Sequence, residues 1–98
     1  MKLVRDKIPE IIKENNEKPI THIASDEEYW KFLKEKFGEE FKEFLEKENE
    51  EEFADVLEVL DAIKKFKNLN EREIEKLKKK KFNERGGFDK RIILDGVE

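Results

Sequence analysis

The sequence predicts an all-α helical bundle, and three observations carry that expectation. Apolar residues recur at spacings of three and four through the middle of the chain. Ser/Asn-x-x-Glu capping patterns stand at Ser25–Glu28 and Asn70–Glu73, each before a periodic stretch. No run of strands alternates with the helices, which leaves helix-on-helix packing as the architecture. At 98 residues the chain fits one domain, 1–98.

Charged residues make up 49% of the chain, a level that points toward disorder. Leu, Ile, Val and Phe number 29 of 98, however, well above the ~20% below which chains fail to fold. Folding is therefore expected. With no Cys, thiolate metal sites, disulfides and cysteine nucleophiles are excluded. A net charge of −4 argues against non-specific nucleic-acid binding, which needs excess Lys and Arg. No apolar run approaches the ~18–20 residues of a membrane span, and no signal-peptide pattern opens the chain, so a soluble, cytoplasmic protein is expected. The Lys/Glu bias and absence of Gln match hyperthermophile usage, though solvated helices produce the same bias.

The elements follow in order. Asp6 is placed to cap a short helix carrying Ile8, Ile11 and Ile12, with Pro9 tolerated in its first turn. Asn15, Asn16 and Pro19 break it, and Ile20 to Ala24 reads as an extended connector. From Asp26 to Lys47, residues Trp30, Leu33, Phe37, Phe41 and Phe44 form one apolar stripe. A polar break at 47–50 precedes a helix from Glu51 to Lys67 that is apolar on most sides, as a central or interface helix would be. A third long helix runs from Asn70 to Glu84 with Ile74, Leu77 and Phe82 expected inward, and Gly86-Gly87 stops it. The tail Arg91 to Leu94 is a candidate extended segment, able to pair with Leu3-Val4.

The chemistry lies across the break. Glu40 and Glu43 share one helix face, as do Glu52 and Asp55 on the next helix. Folded back about residues 47–48, an antiparallel hairpin sets Glu43 level with Glu52 and Glu40 level with Asp55. Asp55 interrupts an otherwise apolar row through Val59, Ala62 and Phe66, a costly place for an unpaired acid. Four crowded carboxylates repel one another, and a divalent cation removes the conflict. Oxygen-only ligands select a hard ion, Mg²⁺ first, with Mn²⁺ or Ca²⁺ after it. Against this stands the frequency of such spacings in a chain with 20 Glu; Glu58 and Asp61 repeat the pattern on the opposite face.

These residues carry a family resemblance. Glu39-Glu40-x-x-Glu43 followed by Glu52-x-x-Asp55 resembles the all-α NTP pyrophosphohydrolases of the MazG-like and phosphoribosyl-ATP pyrophosphohydrolase-like superfamily. Leu3 to Ile12 resembles the opening of one MazG-like subfamily, Glu52 to Val59 its central helix, and Arg85-Gly86-Gly87-Phe88 its closing signature. The resemblance implies Mg²⁺-dependent cleavage of a nucleoside triphosphate at the α–β linkage, giving the monophosphate and pyrophosphate. It implies Glu40, Glu43, Glu52 and Asp55 as metal ligands and Glu39 or Glu43 as the acid that takes the proton of the attacking water. Arg5, Lys7, Lys81 and Arg85 are the implied phosphate contacts, and a homodimer or homotetramer is expected to cover the apolar helix. Only eight residues separate Glu43 from Glu52, fewer than is usual in the superfamily, so a tight turn is expected. Two rivals remain at this level: phosphoribosyl-ATP as substrate, and a non-catalytic dimerisation module. His22 reads as a surface or packing residue. Trp30 reads as core, although it, Tyr29 and Phe88 are aromatic groups able to stack on a base.

Overall fold

The computed structural model describes residues 1–98 and contains four helices and no strand, so the chain is all-α. It falls into two units, Met1–Lys67 and Asn68–Glu98. No helix is long and apolar enough to cross a membrane.

The first unit opens with α1, Ile8–Glu14. Asp6 does not cap it. Lys7 holds the N-cap position without a side-chain hydrogen bond, because its ammonium has no acceptor to offer the first helical N–H groups, and Pro9 carries no N–H. The long helix α2, Asp26–Lys47, has the bounds its stripe and cap predict. Ser25 Oγ accepts from the Glu28 N–H at 3.2 Å, but the reciprocal half of the capping box is absent. The Glu28 carboxylate instead lies 2.6 Å from His22 Nε2, tying the connector to the start of the helix.

At its far end α2 stops on Glu48, whose φ of 48° is left-handed. A non-glycine residue there costs ~1–3 kcal/mol. The next residue, Asn49, caps α3 (Glu50–Phe66) by accepting the Glu52 N–H at 2.9 Å. Two residues therefore end one helix and begin the next, the tight turn that the short spacing implies. Such a cap is worth ~1 kcal/mol, and three acids in the first turn suit the helix dipole.

The two helices run antiparallel, as aromatic contacts at both ends of the hairpin show. Phe44 meets Phe53 edge-on at 5.2 Å near the turn. Trp30 stacks on Phe66 at 6.1 Å, with Tyr29 edge-on to the same ring at 5.0 Å. Trp30 is thus packed as expected, although half-buried, and Lys67 Nζ lies over its ring, 4.1 Å from the centroid. Leu33, Val56 and Val59 are the buried hydrophobic residues. Phe41, Leu45, Phe53, Leu57 and Leu60 stay exposed, so the apolar sides expected of α3 are only partly covered within the chain.

In the second unit, Asn70 caps α4, Glu71–Arg85, by accepting the Glu73 N–H at 2.9 Å. Gly86 stops it with φ at 80°, a conformation that favours glycine. The inward placement of Leu77 and Phe82 does not hold; both are exposed, and only Ile74 is half-buried. This unit contains one helix, so no second helix of the unit covers that face. Arg91 to Leu94 forms no strand, and Ile92, Ile93 and Leu94 are exposed.

Leu33 is the one large side chain fully buried, at 1% exposure. Leu33→Ala should therefore lower stability by ~2–5 kcal/mol in urea unfolding, the range for a leucine-sized cavity. A loss below ~1 kcal/mol would mean that the hairpin is not centred on this residue.

Candidate metal centre

The hairpin brings three acids together. Glu40 of α2 and Glu52 and Asp55 of α3 each offer a carboxylate oxygen, all within 4.8 Å of one another. Glu40 and Glu52 are each only 8% exposed, and they are the buried charged residues of the chain. Asn49 explains how Glu52 comes to be there. The cap satisfies the Glu52 N–H with its own side chain, and the Glu52 carboxylate turns inward rather than back on the cap.

The two glutamates divide their oxygens in the same way. Glu40 Oε1 lies 3.2 Å from Lys36 Nζ, and Glu52 Oε1 lies 3.4 Å from Lys47 Nζ. The second oxygen of each, Oε2, is buried with no hydrogen-bond partner. A buried acceptor left unpaired costs ~1–3 kcal/mol, and more when it is charged. Asp55 is paired from another part of the chain: Arg5 Nη2 donates to its Oδ1 at 2.8 Å.

Glu43 lies beside this triangle without joining it. Repulsion from Glu40 is the main cause that holds its carboxyl above the usual range, followed by partial burial and then by Glu52 and Glu39; Lys47 offsets part of this. Of the four ligands the resemblance implies, the structure thus converges three and sets the fourth within their field. Glu39 is exposed, 3.8 Å from Lys36. Lys7 is exposed at the start of α1 and forms no ion pair. Lys81 and Arg85 stand one turn apart on α4, exposed. Lys36 and Lys47 were not singled out in the sequence, although the Lys36–Glu40 spacing of four was a usable signal. Nothing local could have joined Arg5 to Asp55 across fifty positions.

Two buried oxygens without partners, on an oxygen-only donor set, fit a hard divalent cation. Opposite ligand oxygens stand ~4.2 Å apart around Mg²⁺ and ~4.8 Å apart around Ca²⁺, so the observed triangle is within reach of either.

No protein-family profile matches the chain, and no solved structure matches it. A protein of Mycolicibacterium smegmatis (strain ATCC 700084 / mc(2)155), described as uncharacterized, is 47% identical over 38 residues. That stretch is 39% of this chain and 39% of the relative, so the similarity covers well under half of either.

The raised Glu43 carboxyl fixes a pH dependence for the metal-free protein. The folded state holds that proton more tightly than the unfolded state does. The resulting stability is present below the ordinary carboxylate value and is lost as pH rises through the raised one. Glu43→Gln should therefore match wild type in chemical unfolding near pH 3 and exceed it near pH 7, with EDTA present throughout. A difference that stays constant with pH would contradict the repulsion.

Proposed function

We propose that this chain is a divalent-metal-dependent nucleoside triphosphate pyrophosphohydrolase of the MazG-like kind, releasing nucleoside monophosphate and pyrophosphate. The observation that carries the reading is the pair of buried, unpartnered oxygens on Glu40 and Glu52, two of the three acids that come within 4.8 Å of one another with Asp55. The motif order from Leu3 to Phe88 supports the reaction class.

Glu40, Glu52 and Asp55 would hold Mg²⁺, or Mn²⁺ in its place. When bound, the ion polarises the phosphorus under attack and lowers the pKa of water. Glu43 is the better placed of the two acids to accept the proton of the attacking water. Its raised carboxyl makes it the stronger base, whereas Glu39 lies at the surface beside Lys36. Lys36 and Lys47 orient the acids by holding their outer oxygens. The rival reading, a non-catalytic helical module with a lattice of ion pairs, draws on the same three basic partners but leaves the inner oxygens unexplained.

The test is incubation with a panel of NTPs and Mg²⁺, with products separated by chromatography. Monophosphate and pyrophosphate are expected; diphosphate and orthophosphate would place the protein in another reaction class. Glu52→Gln and Asp55→Asn should each lower kcat/KM at least ~100-fold, or ~2.7 kcal/mol of transition-state stabilisation. Glu58→Gln, on an exposed face of α3, should cost little.

The reading includes a homodimer or homotetramer. Three buried hydrophobic residues make a thin core, while five large apolar residues of α2 and α3 stay exposed. A second copy pairing through Phe41, Leu45, Phe53, Leu57 and Leu60 would supply the missing burial. Sedimentation velocity should give a dimer or larger for wild type and a monomer for Phe53→Glu. A stable wild-type monomer at tens of micromolar would rule out that pairing.

A further inference from the structure

We propose that Arg5 is a removable counterion of Asp55, and that a divalent cation taking up the acid triangle expels it and frees the segment around residues 3–8. The inference rests on the triangle holding a divalent cation, as proposed above.

The three acids do not have equivalent partners. Lys36 belongs to α2 itself and reaches Glu40 one turn along the same helix. Lys47 ends α2 and reaches Glu52 across the two-residue turn. Both lysines are thus delivered by the hairpin, and both occupy outer oxygens while the inner ones stay free. Arg5 is delivered from outside the hairpin, fifty positions away. Its segment is held only in part: Leu3, Val4 and Ile8 are half-buried, but α1 has no buried residue and, within the first unit, only α2 and α3 pack against each other as helices.

The Arg5 side chain is 58% exposed, and one of its five N–H groups engages Asp55. A guanidinium that close to a ligand carboxylate both repels an arriving divalent cation and withdraws electron density from the ligand oxygen. The two charges therefore compete at Asp55, through Oδ1 itself or, if the ion takes Oδ2, through repulsion across one carboxylate. The competition has a direction: a hard dication gains from three carboxylates at once, whereas Arg5 holds one oxygen of one acid. Once released, the guanidinium stands beside a cation-loaded site with its donor fork open, which is the chemistry that receives a phosphate oxygen. Metal loading thus makes the anion-binding arm available, and the two binding events are coupled.

Calorimetric titration of MgCl₂ into metal-free wild type, Arg5→Gln and Lys7→Gln tests this, together with 15N relaxation of the backbone of residues 3–8. Lys7 is the control, being exposed, on the same segment and without an ion pair. Arg5→Gln should bind Mg²⁺ about tenfold more tightly than wild type, which is ~1.4 kcal/mol of removed competition. Lys7→Gln should stay within about twofold, since it removes only long-range charge. In wild type, the 15N order parameters of residues 3–8 should fall when Mg²⁺ is added; in Arg5→Gln they should be low at the outset and unchanged by the ion. Equal Mg²⁺ affinity in wild type and Arg5→Gln, or unchanged or higher order parameters of the segment on metal addition, would overturn the displacement while leaving the metal centre standing. Failure of Mg²⁺ to bind either protein would remove the metal centre and the displacement together.

Discussion

The antiparallel pairing of α2 and α3 across a two-residue connection is the constraint on which the rest depends. Glu48 turns left-handed to end one helix, and Asn49 immediately caps the next. Aromatic contacts then lock the register at both ends, Phe44 on Phe53 beside the turn and Trp30 on Phe66 at the open end. That register sets Glu40 opposite Asp55. The packing that buries Leu33, Val56 and Val59 also buries Glu40 and Glu52, so the hydrophobic core and the acid triangle arise from one event.

A chain with 26 acids and 22 bases has many ways to neutralise itself, and most of its charges lie in solvent. The triangle differs because its charges are separated by depth. Basic groups reach the outer oxygens, where water screens them and each pair contributes little. The inner oxygens lie where water does not reach, and a lysine long enough to pair at the rim does not extend to them. The metal ion proposed above carries no stem and so meets no such limit. Depth, more than the number of acids, distinguishes this cluster from the Glu58–Asp61 pair, which has the same spacing on an exposed face.

Much of this was legible in the sequence where short-range rules decide. The bounds of α2 followed from Ser25 and the Phe/Leu stripe, the cap of α4 followed from Asn70, and the mirrored placement of the acid pairs followed from the brevity of the turn. Asn49 enters the sequence reading only as part of a polar break, although Asn49-x-x-Glu52 carries the same capping spacing as Asn70-x-x-Glu73. Glu43 was placed level with Glu52, but helix rotation leaves it beside the triangle rather than in it. Leu77 and Phe82 were expected inward from periodicity, which specifies a face but not whether anything covers it. The Arg5–Asp55 pair lay beyond any local rule.

The connection between α2 and α3 has a consequence for how this chain can vary. Both of its residues are caps, and no spare residue lies between them. One added or deleted residue would either break a cap or turn α3 by ~100° about its axis. The first choice frays the first turn, which carries Glu52. The second lifts Val56 and Val59 out of the core and carries Glu52 and Asp55 away from Glu40. Single-residue exchanges at the loop leave the phase between the helices intact; changes in its length do not. Relatives that keep this site should therefore differ at positions 48 and 49 by substitution, and place their insertions and deletions elsewhere.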